Sequence, residues 1–366
     1  MAKKIMIQCE NGTYPILLND KFGPLVKALE ELGGRERKIC IVTDSNVEKQ
    51  YGDEVLSLLS DSFPTVLLFV FQAGEAQKNL STVGNLYEFL IRNKFQRKDL
   101  LIALGGGVVG DLTGFAAATY LRGIDFVQVP TSLLAMVDSS IGGKTGVDYL
   151  QYKNMVGAFY QPKLIYMNIC SILTLPENQY YAAMGEILKH GLIQDSAYYE
   201  WLINHLTEIY EKEIPVLEEM ILGSIRIKQA VVEEDAKEKG IRAILNFGHT
   251  IGHAIETLKD FQLLHGECVA LGMQAAAYIS WKRDYLEKEE FFEIRDMFAG
   301  FHLPISLDDL DTKDILEVMK NDKKAVDGAI QFILLKEVGN AVIDKTVTEA
   351  EMTEAIDYIK LTWLEE

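Results

Sequence analysis

Short apolar runs separated by stretches of helical periodicity organise the first half of the chain. KIMIQ and YPILL flank the turn ENGT and predict a hairpin. KICIVT (38–43) leads into a helix near 45–60, and TVLLFVF (65–71) into a helix near 79–94. LLIAL (100–104) runs into GGGVVGD and a helix of small residues, and DFVQVP (125–130) reads as a further strand. Unbroken apolar strands alternating with helices predict a mostly parallel α/β sheet, buried on both faces.

Near residue 171 the pattern changes. From SILTLPENQYYAAMGEILKHGLI onward the spacing is that of long amphipathic helices. Thr174-Leu175-Pro176-Glu177 reads as a capping box with proline in the first turn. One late exception, AIQFILLKEVGNAVI (329–343), reads as strand–turn–strand. The expected architecture is an α/β domain over 1–170 followed by a mostly α-helical domain over 171–366. The cleft between two such domains is the default place for a small ligand.

Composition narrows the class. The 366 residues are 48% hydrophobic and 25% charged, with a net charge of −18. That balance argues against a nucleic-acid backbone or an anionic membrane as partner. Cys9, Cys40, Cys170 and Cys268 lie far apart with no CxxC pair, so neither a disulfide scaffold nor a thiolate zinc site is indicated. MAKKIMIQCENG lacks the apolar core of a signal peptide, and VLLFVF (66–71) is strand length rather than membrane-spanning. A reducing cytoplasm is the expected location.

Several stretches carry candidate chemistry. Gly105, Gly107 and Gly110 fit G-x-G-x-x-G after a strand and before a helix, the turn through which a Rossmann-like domain meets a pyrophosphate. The match is imperfect, because it lies outside the first βαβ unit and Asp111 follows directly. Asp44, ending KICIVTD, suits a ribose hydroxyl pair. Between 119 and 154, Arg122, Lys144 and Lys153 stand among Gly, Ser and Thr in turn-like contexts, where an anion can also meet backbone N–H groups, with Asp138 to orient such a cation. GEILKHG puts Glu186, Lys189 and His190 on one helical turn, NFGHTIGHAIE adds His249 and His253, and LLHGECVALGM adds His265. A carboxylate with imidazoles and no thiolate is an open catalytic metal set. Spacing i, i+4 makes both His249 and His253 candidate ligands, with Glu186, His190 and His265 competing to complete the sphere. His205 and His302 read as ordinary buried, hydrogen-bonded histidines.

Taken in order, GGGVVGDLTGFAAATYLRG, VPTSLLAMVDSSIGGKTGVD, KNMVGAFYQP, GEILKHG, NFGHTIGHAIE and HGECVALGM resemble the 3-dehydroquinate synthases of the sugar phosphate cyclase family. The resemblance implies an NAD-dependent enzyme with one divalent ion, zinc or cobalt, per subunit. Its implied metal ligands are Glu186, His249 and His265, which moves His253 into the substrate pocket. Asp44 and Asn46 are implied on the adenosine side of NAD, with Glu75 and Lys78 nearby. Gly106, Gly107, Val108, Val109, Gly110 and Asp111 would line the pyrophosphate turn. Thr131, Ser132, Lys144, Lys153, Ser171, Ile172, Leu173 and Thr174 complete that set; family members often carry Thr where this chain has Ser132. Implied substrate contacts are Asp138, Lys144, Asn154, Lys189, Arg242, Asn246, His253 and Lys323. Arg122 resembles a residue that reaches the neighbouring subunit's phosphate site, which implies a homodimer. The implied substrate, 3-deoxy-D-arabino-heptulosonate 7-phosphate, carries a phosphate and a carboxylate, and fixed Arg and Lys donors suit both.

Overall fold

Strand periodicity governs the first of the two units into which the chain divides, Met1–Leu175 and Pro176–Glu366. A computed structural model describes residues 3–9, 12–150, 152–235, 240–260, 262–324 and 330–360. The strands of the first unit are β1 (Lys3–Cys9), β2 (Gly12–Asn19), β3 (Ile39–Asp44), β4 (Val66–Phe71), β5 (Leu100–Gly105), β6 (Asp125–Pro130), β7 (Lys144–Tyr149), β8 (Tyr152–Phe159) and β9 (Ile165–Asn168). Its helices are α1 (Leu25–Glu31), α2 (Ser45–Val47), α3 (Asp53–Ser60), α4 (Leu80–Arg92) and α5 (Gly107–Thr119). One sheet runs β1-β2-β9-β6-β5-β3-β4. The expected β1–β2 hairpin is its antiparallel edge, and the other neighbours are parallel.

The alternation of side chains along each strand divides the core in two. Ile39, Ile41, Leu100, Ile102, Leu104 and Val127 face Leu25 and Leu29 of α1 and Val55 and Leu59 of α3. Their neighbours Cys40, Val42, Leu101, Ala103 and Phe126 face Val83 and Leu86 of α4 and Leu112 and Phe115 of α5. Strands buried on both faces must be apolar throughout, which is why these runs show no alternation in the sequence. The chain leaves β3 for β4 on one side, then returns across β3 to lay down β5 on the other. This reversal is a topological switch point, and the crevice at the carboxyl ends of its strands is where such sheets bind ligands.

The segment around Lys144 and Lys153 is not the pair of turns that its Gly, Ser and Thr content suggests. It is the antiparallel hairpin β7–β8, lying outside the main sheet. Gly146 and Gly157 face one another across it, and a Cβ on Gly157 would lie 2.4 Å from the Thr145 carbonyl oxygen. The small residues there serve close strand contact.

The second unit comprises α6 (Glu177–Gln194), α7 (Ser196–Asn204), α8 (Leu206–Tyr210), α9 (Ile214–Glu234), α10 (His249–Leu258), α11 (His265–Lys282), α12 (Lys288–Gly300), α13 (Thr312–Lys324) and α14 (Glu349–Ile359). The expected strand–turn–strand is the hairpin β10 (Phe332–Glu337) and β11 (Asn340–Asp344). Two helices depart from the amphipathic expectation. Residues 182–193 of α6 and 268–280 of α11 are buried without a break, so both are central helices covered on all sides. Glu186, Lys189 and His190 made α6 look two-faced, yet all three are buried.

The predicted capping box at the start of α6 does not form. Leu175, preceding Pro176, is extended (φ −70°, ψ 132°), as the proline ring requires, and no side chain caps the helix. Thr174 instead ends a 3-10 turn and donates its hydroxyl to the Ser171 carbonyl at 3.1 Å. His205 is held by the Trp201 carbonyl at 2.8 Å. His302 is exposed rather than buried, with its ring edge-on to Tyr181.

Candidate metal centre and nucleotide turn

In the first unit the candidate nucleotide residues gather at the switch point. Asp44 ends β3 and caps the following turn, its Oδ1 accepting from the amides of Asn46 (2.8 Å) and Val47 (3.1 Å). Gly105 ends β5, and no side chain caps α5, so the first-turn N–H groups of that helix face the end of the sheet. Packing demands the glycines here. A Cβ on Gly105 would lie 2.5 Å from Val109, and one on Gly110 would lie 2.7 Å from Gln128 Oε1. Thr131 and Ser132 follow the adjacent β6, where the Thr131 amide donates to the Gly105 carbonyl at 3.0 Å. Ser171 reaches the same corner, donating to the Thr131 carbonyl at 3.4 Å; Ile172 beside it is buried, while Leu173 and Thr174 are exposed.

Lys78, Asp111 and Asn154 form one connected group. The Lys78 ammonium, 5% exposed, donates to Asp111 Oδ2 at 2.7 Å and Asn154 Oδ1 at 2.6 Å. Burial works against that charge, but Asp111 and Glu75 outweigh it and raise the Lys78 pKa. Burial likewise pushes Asp111 up, more than Lys78 pulls it down. The short contact marks an ion pair, and desolvation of the carboxylate is its cost. Asn154 sits in the left-handed region (φ 55°), where its amide donates to Asp148 Oδ1 at 2.8 Å. The Asp148 amide in turn donates to the Lys78 carbonyl at 2.8 Å. Lys153 approaches Glu75 at 3.8 Å. Lys144 opens β7, and half-buried Asp138 lies in the turn Ala135–Ser139. Arg122 is exposed on a corner where Leu121 and Arg122 both take positive φ (50° and 62°), and Arg97 clamps that corner through the Leu121 carbonyl at 2.7 Å.

In the second unit Glu186, His249 and His265 converge. Glu186 lies mid-way along α6, while His249 and His265 are the first residues of α10 and α11. Each is next to a glycine at a close helix contact. A Cβ on Gly185 would lie 2.5 Å from the Gly266 carbonyl oxygen, and one on Gly266 would lie 1.7 Å from that of Ala182. Gly248 has φ 81°, and a Cβ there would lie 2.6 Å from the Val269 carbonyl oxygen. These glycines let three helices approach closely enough for their side chains to share one point.

The charges at that point are unusual. Burial opposes ionisation of Glu186, yet Lys189, then His265 and His249, hold its carboxyl well below the usual range. Burial, reinforced by Lys189, keeps His249 neutral. Burial works against protonation of His265, but Glu186 and Glu256 outweigh it and raise its pKa to about 9. Glu186 Oε2 accepts from the Lys189 ammonium, whereas Oε1 is fully buried with no hydrogen-bond partner among the described residues. His249 Nε2 lies 3.6 Å and His265 Nε2 3.5 Å from that orphaned oxygen. At 3.5 and 3.6 Å these contacts sit at the outer limit for hydrogen bonds. They match the donor–donor edge of about 3.4 Å around a tetrahedral ion with bonds of about 2.1 Å. His249 Nδ1 lies 3.1 Å from the Phe247 carbonyl, which selects the tautomer with the lone pair on Nε2. This donor set fits a divalent ion.

His253, one turn along α10 from His249, is exposed and groups instead with Glu256 and His265. His190 is tied through Nδ1 to Ser224 Oγ of α9 at 2.6 Å, and one of its ring nitrogens still lies within 4.8 Å of a Glu186 carboxylate oxygen. Arg242 (2% exposed) and half-buried Asn246 lie on the 3-10 turn Ile241–Asn246. Lys323 falls on α13, with its side chain outside the described residues. Among the described residues of the second unit, sequence reasoning missed two buried charges. Lys228 on α9 is 5% exposed, one turn beyond Ser224, and its signal was a lysine at the apolar phase of a helix. Glu256 on α10 is 4% exposed and shares the i, i+4, i+7 face of His249 and His253.

This fold serves a broad class. A glycerol dehydrogenase from Schizosaccharomyces pombe, 15% identical, matches with a TM-score of 0.68 over 94% of this chain and 88% of its own. Likeness is greater to 2-deoxy-scyllo-inosose synthase, solved with carbaglucose-6-phosphate, NAD+ and Co2+: TM-score 0.87, 27% identity, 97% of this chain and 99% of that one. The sequence profiles described as 3-dehydroquinate synthase N-terminal and C-terminal match residues 68–182 and 183–325. The 3-dehydroquinate synthase of Acetivibrio thermocellus is 41% identical over 355 residues, covering 96% of this chain and 98% of that relative. That of Ruminiclostridium cellulolyticum is 41% identical over 351 residues, covering 96% and 97%. The chain belongs to the 3-dehydroquinate synthase family.

Proposed function

We infer that the chain converts 3-deoxy-D-arabino-heptulosonate 7-phosphate into 3-dehydroquinate and phosphate, the second step of the shikimate pathway, with NAD and a zinc or cobalt ion. The observation that carries this reading is the orphaned carboxylate oxygen of Glu186 facing two imidazole nitrogens, in a chain about 40% identical to named synthases over nearly its full length. Once bound, the ion supplies a Lewis acid and NAD a hydride acceptor that is regenerated, so the reaction is redox-neutral overall. Glu186, His249 and His265 are the proposed ligands. Lys189 and His253 hold and move protons at the substrate hydroxyls. Arg242, Asn246, Lys144, Asn154 and Lys323 fix its anionic groups, with Asp138 orienting them. Asp44, Asn46, the turn 106–111 and the Thr131–Ser132 corner hold NAD. Phosphate elimination and the closing aldol step then need positioning and charge stabilisation more than further catalytic groups.

The proposed homodimer has support from the first unit alone. Tyr149, Leu150, Tyr152, Met155 and Phe159 of the β7–β8 hairpin are all exposed, a large apolar array for a free surface. The Tyr160 hydroxyl donates to the Ile124 carbonyl at 2.9 Å, which brings the end of β8 beside the corner that presents Arg122. Among the described residues no helix is long and apolar enough to cross a membrane.

The test is phosphate release from the heptulosonate phosphate by zinc-loaded protein with trace NAD, followed also at the nicotinamide absorbance. Many phosphates per NAD without NADH build-up is the expected result. No phosphate release from protein with confirmed metal and NAD binding refutes the assignment.

A further inference from the structure

The proposed ligands leave one buried carboxylate without a task. Glu256 lies on α10, one turn beyond His253, and is 4% exposed. Its Oε2 is 3.5 Å from His265 Nδ1, while His265 Nε2 is 3.5 Å from Glu186 Oε1. The two ring nitrogens of His265 therefore face two different carboxylates. As a metal ligand His265 must be neutral, with one N–H and one lone pair, so it can serve both sides in only one way. If Nδ1–H donates to Glu256, the lone pair sits on Nε2 and faces the point shared with His249 and Glu186; the other tautomer sets a lone pair against the Glu256 carboxylate.

The helix contacts show why the position needs such a partner. His265 is the first residue of α11, and its side chain is 30% exposed, against 13% for His249. His249 is oriented by the Phe247 carbonyl two residues earlier, whereas His265 Nδ1 faces the Glu256 carboxylate. We propose that Glu256 is a positioning residue, which fixes the tautomer and ring orientation of His265 and so presents its Nε2 to the metal ion. The proposal rests on Glu186, His249 and His265 being the metal ligands. It adds a carboxylate–imidazole–metal relay to that set, in which a buried negative charge strengthens the ligand and Glu256 itself does not touch the ion.

The test compares wild type with Glu256→Gln, Glu256→Ala and Glu186→Ala. Zinc affinity is read by competition with a chromophoric chelator, the ligand field by the visible spectrum of the Co2+-loaded protein, and folding by thermal melting. Loss of such an outer partner weakens metal binding by about 10–100-fold. Glu256→Ala is expected to show that loss with an altered Co2+ spectrum, and Glu256→Gln, which keeps an acceptor, a smaller one at an unchanged melting temperature. Zinc affinity and Co2+ spectrum of both variants matching wild type overturns the proposal. So does a wild-type stoichiometry of two ions per chain that falls to one in Glu256→Ala, which would make Glu256 a ligand. Retention of metal by Glu186→Ala would instead refute the underlying ligand set, whatever the Glu256 variants do.

Discussion

Gly266→Ala separates the metal centre from the rest of the fold. The added Cβ would lie 1.7 Å from the Ala182 carbonyl oxygen, against a comfortable carbon–oxygen contact of about 3.3 Å. Helix α11 must therefore retreat from α6 by about 1.6 Å, with backbone on both sides and no flexible side chain to yield. His265 moves with α11 and Glu186 stays with α6, so their 3.5 Å donor separation grows to about 5 Å. One ion can bridge donors no further apart than two bond lengths, about 4.2 Å. The pair stops chelating. Gly185→Ala makes a graded control, because its Cβ would lie 2.5 Å from the Gly266 carbonyl oxygen and asks for only about half that shift. The strain itself costs about 1–3 kcal/mol, a lowering of several degrees in melting temperature for a unit of this size. Zinc content after dialysis and chelator competition, with far-ultraviolet circular dichroism to verify folding, should show weakened binding in Gly185→Ala and none in Gly266→Ala. Wild-type zinc affinity in a folded Gly266→Ala protein would refute the reasoning that helix approach positions the ligands.

Other expectations follow from single contacts. Lys78→Ala strands the Asp111 carboxylate and should cost about 2–3 kcal/mol in urea unfolding; the double variant with Asp111→Asn should recover part of it, and simple additivity would deny the ion pair. Arg283 grips Glu351 with two hydrogen bonds, 2.6 and 2.9 Å, and the Glu351 pKa falls to about 2, with the Arg283 bond its main cause. A carboxyl depressed in the folded state adds stability above its ordinary value of 4.5 and loses it as pH falls towards 2. Glu351→Gln should thus lose about 1–2 kcal/mol at pH 7, after allowance for solvent screening, and almost nothing near pH 2. Equal losses at both pH values would count against the ion pair. Asp148→Ala removes the acceptor that fixes the Asn154 amide, and should raise substrate KM several-fold with little change in kcat; an unchanged KM would remove Asn154 from the substrate site. For the proposed homodimer, Arg122→Ala should lose activity without dissociating, as read by sedimentation. Mixed dimers with a metal-site variant such as Glu186→Ala should recover part of that activity if Arg122 serves the neighbouring subunit.

Periodicity and local chemistry alone determined a good deal. Buried parallel strands have no polar face to show, so the apolar runs 38–43, 100–104 and 125–130 were legible as strands, as was the half-buried edge run 65–71, and the glycine turn after LLIAL was legible as the passage from strand to helix. The motifs containing Glu186, His249 and His265 also stood out as residue types. Spacing within a helix could not say which histidines meet, because i, i+4 neighbours share a face whether or not a third helix brings a carboxylate to it. Only the tertiary structure decided that. It placed His265 at the start of α11, pressed against α6 through Gly185 and Gly266, placed His249 at the start of α10, packed on α11 through Gly248, left His253 exposed, and tied His190 to Ser224. It also reversed the reading of α6 and α11 as amphipathic: both are buried along most of their length, and on α6 that burial includes Glu186, Lys189 and His190. Lys228 and Glu256 went unseen for the same reason. A single buried charge looks like any surface charge until packing shows what faces it, and that depends on residues far away in the chain.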